Sequence, residues 1–170
     1  MSLSMHQAAV PVSVRALSNL RHVLRQGEAY ATARGYAPEL LLQARLAPDM
    51  FPLLRQVQVA SDMAARGCAR LAGVEPQPFP DEETDFAALD ARLARVVAYI
   101  EGFAPAQLDG SETREVAFST RNAGELRFSG RDYLLHYVLP NLFFHCSMAY
   151  AILRQAGAPI GKLDFLGRPG

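Results

Sequence analysis

The sequence predicts an all-α protein: a four-helix bundle with a small β-hairpin between helices three and four. Three observations carry that expectation. Phe86, Leu89, Leu93, Val96 and Ile100 recur at alternating spacings of three and four, the period of one helix face. Val138, Leu142, His145, Ala149 and Ile152 repeat the pattern further on. Between them, "REVAFST" and "GELRFSG" flank "RNA" and switch to period two, with Val116, Phe118, Leu126 and Phe128 alternating with polar residues.

Taken in order, the first helix spans about Ser4 to Gln26, with Val10, Val14, Leu17 and Leu24 near one face. Pro11 marks either its start or a kink, and Gly27 reads as its stop. A long connection follows, punctuated by Gly35, Pro38 and Pro48 and holding a short helix over Glu39 to Gln43. The second long helix opens at Asp49 as N-cap, tolerates Pro52 in its first turn, and runs to about Ala72 before Gly73. Met50, Leu54, Val57, Ser61, Ala64 and Cys68 share its inner face, with Arg55, Asp62, Arg66 and Arg70 on the other side. "GVEPQPFPDEET" reads as a solvated loop. Helix three, capped by Thr84 or Asp85, ends near Glu101 and Gly102. Helix four covers about Arg131 to Gln155 and closes on Gly157 and Pro159, and the tail "IGKLDFLGRPG" reads as irregular.

Bulk composition narrows the function classes. With 170 residues, half of them hydrophobic and a fifth charged, the chain fits one domain over residues 1–170. Seventeen basic residues balance seventeen acidic ones, so no global field recruits nucleic acid or an anionic membrane. No stretch approaches the ~20 apolar residues of a membrane-spanning helix, and the N-terminus lacks a signal-peptide pattern. Cys68 and Cys146 form no CxxC pair and read as buried, reduced thiols of a cytoplasmic protein. No phosphate-binding glycine loop or GxSxG elbow is present, and the acids of "DEETD" and Glu112/Glu115 read as solvating and capping groups.

His145 is the residue that invites a functional reading, because its spacing puts it on the core-facing stripe of helix four. The bland reading is a neutral core histidine satisfied by Asn141 or by a polar residue of helix two, Ser61 or Gln58. The sharper reading is a ligand or catalytic role. A zinc-type site needs three or four converging ligands. His136 lies nine residues earlier, roughly 180° round an ideal helix. His6 and His22 stand far apart on helix one, and no HExxH, HxxxH or CxxC occurs. The residues therefore predict no bound metal and no cofactor. The aromatics Tyr133, Tyr137, Phe143 and Phe144 exceed one face of helix four, so some must pack on the hairpin or on a partner subunit.

Three blocks carry a family resemblance: "LAPDMFPLLRQVQVASD" from Leu46, "FSGRDYLLHYVLPNLFFH" from Phe128, and "AYAILRQAGAPIGKLDFLG" from Ala149. The chain resembles an uncharacterised bacterial family grouped with the DinB/YfiT-like four-helix superfamily. The resemblance implies a DinB-like bundle, often a homodimer. Many members of the wider superfamily hold a divalent metal with one histidine from helix two and an HxxxH pair from helix four, and several are thiol-dependent transferases or isomerases. Against that pattern, "NLFFHCSMA" keeps His145 and carries Ala149 where the second histidine would stand, while helix two offers Gln56 or Gln58 instead of a third.

Three functions follow. The leading one is a cytoplasmic homodimer with a degenerate metal site that binds a small molecule in a pocket of Gln58, Ser61, Asn141, His145 and Tyr150. The second is a metal-dependent thiol transferase or hydrolase-type enzyme using His145 as a ligand. The third is a structural homodimeric interaction module.

Overall fold

The computed structural model describes residues 3–120 and 123–167. Four long helical elements form a closed ring: α1 (Met5–Ala33) against α4 (Phe86–Glu101), α4 against α3 (Leu53–Ala72), α3 against α7 (Leu139–Gln155), and α7 against α1. The minor elements are α2 (Glu39–Leu42), α5 (Pro105–Leu108), a 3-10 turn at Ser111–Thr113, strands β1 (Glu115–Thr120) and β2 (Gly124–Ser129), α6 (Gly130–Asp132) and α8 (Lys162–Leu166). The strands pair antiparallel, with Val116 opposite Phe128 and Phe118 opposite Leu126. Residues 121 and 122 of the expected "RNA" turn lie outside the described residues. No helix among the described residues is long and apolar enough to cross a membrane.

The α4 stripe behaves as its spacing demands. Leu89, Leu93, Val96 and Ile100 are fully buried, Phe86 nearly so, and the Asp85 carboxylate accepts from Ala88 N at 2.7 Å as N-cap. Elsewhere tertiary contacts override local signals. The first helix does not stop at Gly27 but continues to Ala33, and Pro11 neither starts nor ends it. Pro11 is exposed, so the carbonyl it leaves unpaired lies on a solvated turn. Gly27 is a close-approach residue: a Cβ there would come within 2.7 Å of Leu153 Cδ2 on α7. Gly67 plays the same part on α3, 2.6 Å from Val138 Cγ1.

The second long helix starts at Leu53 rather than after Asp49, which is exposed and caps nothing. Extended backbone at Pro52 precedes it, and Gly73, at φ 73°, closes it. The fourth helix opens with a π-helical segment, Tyr133–Val138, before α7. Pro140 in the first turn of α7 cannot donate to a regular ladder, and the wider turn ahead of it takes up the misfit.

The described part of the tail is not irregular, and residues 168–170 lie outside the described residues. It forms α8, clasped onto α1 by Arg15 donating to Leu166 O at 3.2 Å, Asn19 donating to Phe165 O at 3.1 Å, and a His22–Asp164 contact at 2.9 Å. Tyr133 and Tyr137 pack against Phe118 and Phe128 of the hairpin, with centroids 5.2–6.0 Å apart. Phe143 and Phe144 stay 40% and 52% exposed.

Candidate functional site

α7 buries His145 against α3, leaving it 8% exposed. Its Nδ1 lies 2.7 Å from Gln56 Oε1, and Gln56 Nε2 donates to Phe51 O at 3.1 Å. That second bond fixes the amide. With its NH2 spent on a carbonyl, the oxygen facing the imidazole accepts, so Nδ1 carries the proton. Nε2 then holds a lone pair. Among the described residues it has no hydrogen-bond partner, and it is not sealed from solvent. Burial, helped by the nearby charge of Arg55, holds the imidazole pKa below its ordinary value. The ring is therefore neutral near pH 7 and chemically one-sided, a fixed N–H on one flank and a free acceptor on the other.

The other expected site residues are placed differently. The polar contact from helix two comes from Gln56, not from Gln58 or Ser61, which stand roughly 140–200° further round α3. Gln58 Nε2 donates to Glu83 at 3.0 Å, and Ser61 Oγ accepts from Arg92 Nε at 2.8 Å. Asn141, one turn before His145, is half-buried and donates to Tyr137 O at 2.7 Å. Tyr150 packs edge-on against Phe165 of α8. His136 is exposed while His145 is buried.

Sequence reading missed the largest polar feature. Arg92 of α4 is fully buried and reaches Asp62 at 2.7 Å, both Glu83 oxygens at 3.2 Å, Asp81 at 3.2 Å and the Pro80 carbonyl at 2.8 Å. Arg55 pairs with Asp81 and donates to Gln58 Oε1 at 3.2 Å, while Arg66 pairs with Asp62 at 3.0 Å. The acids of "DEETD" are thus not all solvated, since Asp81 and Glu83 dock the loop onto α3 and α4. Arg92 falls at i+3 from Leu89, a charge beside an apolar stripe, and that was the available signal.

Two spaces flank these groups. A mainly polar cleft of about 400 Å³ lies between α3, the hairpin and the π-helical segment, with Arg55, Arg66, Arg70, Ser119 and Tyr137 in its walls. Arg55 links this cleft electrostatically to His145. An apolar cavity of about 230 Å³ lies between α1, α7 and α8, against Leu20, Val23, Phe143, Cys146 and Phe165. Cys68 and Cys146 are both free and buried, and burial pushes each thiol up to about 12.

Residues 5–166 match the family model described as a domain of unknown function, DUF1993. The chain belongs to the DUF1993 family. It is also similar to the crystal structure of a DinB family member protein from Shewanella denitrificans. The two are 36% identical, with a TM-score of 0.89, over 96% of this chain and 92% of that one. No curated protein matches. The DUF1993 chain thus carries the DinB-like fold, but its residues do not fit the superfamily's three-imidazole metal. Gln56 meets His145 from helix two, Ala149 is fully buried and offers no donor atom, and among the described residues no three His, Cys, Asp or Glu side chains are placed to hold a metal ion.

Proposed function

We propose that this DUF1993 protein is a cytoplasmic homodimer that binds a small molecule beside His145, in a site derived from a metal cage reduced to one imidazole. The carrying observation is the neutral, Gln56-oriented ring with its free Nε2 acceptor. A ligand N–H or O–H donor would supply the partner that atom lacks. The exposed pair Phe143 and Phe144 supports the dimer, and the buried free thiols suit a reducing compartment.

The test is a thermal-shift screen of small molecules carrying hydrogen-bond donors, run on the natural protein and on His145→Ala. The reading expects compounds whose stabilisation disappears in the variant. A screen whose hits act equally on both proteins would overturn it. Light scattering at tens of micromolar tests the dimer, and a monomer would refute that part.

A second reading, a metal-dependent enzyme with His145 as one ligand, is favoured by a single feature. Metal-bound histidines commonly give their other N–H to an oxygen acceptor, as Nδ1 does here to Gln56. One equivalent of zinc, nickel or manganese in untagged protein, lost in His145→Ala, would establish that reading over the first.

A further inference from the structure

We propose that the cleft between α3 and the hairpin binds a small molecule through an oxyanion, carboxylate or phosphate, with Arg70 as its anchor. The site is separate from the one at His145 and does not depend on it.

Arg70 is a cation held still without a counter-charge among the described residues. The Arg70 guanidinium carbon sits 4.2 Å from the Phe118 ring centroid, and Nη1 donates to the Tyr133 hydroxyl at 3.1 Å. Both partners are neutral, and no described carboxylate pairs with Arg70. The guanidiniums around Asp62, Asp81 and Glu83 have acids: Arg55 has Asp81, Arg66 has Asp62, Arg95 has Glu83 at 3.9 Å, and Arg92 touches all three. Four guanidiniums therefore share three carboxylates. Arg70, which lines the cleft, has none among the described residues.

Everything else about the wall suits an anion. Asp62 is its one carboxylate, and Arg66 at 3.0 Å and Arg92 at 2.7 Å neutralise it locally. Ser119 and Tyr137 add hydroxyls that can donate, with no hydrogen bond of their own among the described residues. The stack on Phe118 and the bond to Tyr133 pre-organise the Arg70 fork. Its remaining N–H groups can then meet two oxygens without a further ordering cost. A cleft of about 400 Å³ takes a metabolite-sized ligand rather than a polymer.

Calorimetric titration at low ionic strength with inorganic phosphate and with succinate tests this. The expected result is one saturable site per chain for at least one probe, weakened by added sodium chloride. Arg70→Gln should weaken it at least about tenfold, and Arg70→Lys, which keeps the charge without the fork, less. Tyr137→Phe keeps the aromatic packing and should weaken binding several-fold, which decides the matter if Arg70→Gln fails to fold. Tighter phosphate marks a phosphorylated ligand and tighter succinate a carboxylic acid. Saturation by neither probe, or unchanged binding in the folded variants, would overturn the proposal.

Discussion

Arg92→Met should be the most damaging single polar substitution in this chain. Methionine keeps an unbranched apolar stem, so little packing is lost. What goes is a fully buried cation with four anionic or carbonyl partners and a serine hydroxyl. Asp62 would keep only Arg66, whose side chain is 48% exposed and correspondingly screened. Glu83, 5% exposed, would keep the Gln58 amide at 3.0 Å and Arg95 at 3.9 Å. Removing one partner from a buried ion pair costs about 3–5 kcal/mol, because the remaining charges stay desolvated. Against a typical total stability of about 5–15 kcal/mol, that is roughly a fifth or more.

Urea unfolding followed by far-ultraviolet circular dichroism at pH 7 reads the loss. With a slope of about 1–3 kcal/mol/M, the midpoint should fall by roughly 1 M or more. The double variant Arg92→Met/Glu83→Met removes a charge of each sign and should cost less than the two single changes added, by roughly 0.5–3 kcal/mol. A single-variant loss below about 1 kcal/mol with an unchanged slope would refute the reasoning, since Asp62 and Glu83 would then be finding water.

Four further outcomes follow from the same geometry. His145 binds its proton less readily folded than unfolded, so its share of stability is complete above about pH 6.5 and is lost as pH falls from there toward the lowered folded value. His145→Gln should flatten that part of the stability–pH curve, whose one-proton slope is at most ~1.4 kcal/mol per unit, and an unchanged curve would refute the assignment. Gly67→Ala places a Cβ 2.6 Å from Val138 Cγ1 and should cost about 1–3 kcal/mol in urea, whereas Gly35→Ala should lose stability through its φ of 78° and not through contact. Ala16→Met reaches into the apolar cavity under α8 and should raise the melting temperature by a few degrees, about 2–4 °C per kcal/mol, with a fall counting against a fillable space. Neither Cys68 nor Cys146 should react with a thiol reagent in native buffer within minutes, while both should in urea; rapid native labelling would show that one is accessible.

What was legible in the sequence tracks how local the causes are. The α4 stripe and its Asp85 cap, the hairpin alternation and the Gly73 stop are set by residues within a turn or two, and each was readable. Gly27 was not, because a glycine that ends a helix and one that lets two helices touch look alike until Leu153 is in place. α8 exists through Arg15, Asn19 and His22, some 140 residues away in the chain. Arg92 escaped for the same reason: its five partners come from residues 61 to 83, and only the closed bundle brings them to one guanidinium. Placing His145 on the inner stripe was possible from spacing, but choosing Gln56 over Gln58 was not, since two residues on α3 differ by roughly 200° and the register against α7 decides between them.

That register also sets what the imidazole can offer. A metal cage needs lone pairs that converge, and Gln56 has only one group able to provide them, its carbonyl oxygen. That oxygen is already turned onto Nδ1–H, because the amide's NH2 is committed to Phe51 O. The same commitment that denies a metal its second donor locks the imidazole tautomer, so Nε2 is left as an acceptor rather than a donor. Ala149, fully buried one turn further along α7, closes the core where a third ligand would have to enter. The contacts that leave a metal without converging donors and those that orient the His145 ring are thus the same. The ring offers one open acceptor, Nε2, with no second metal donor beside it among the described residues.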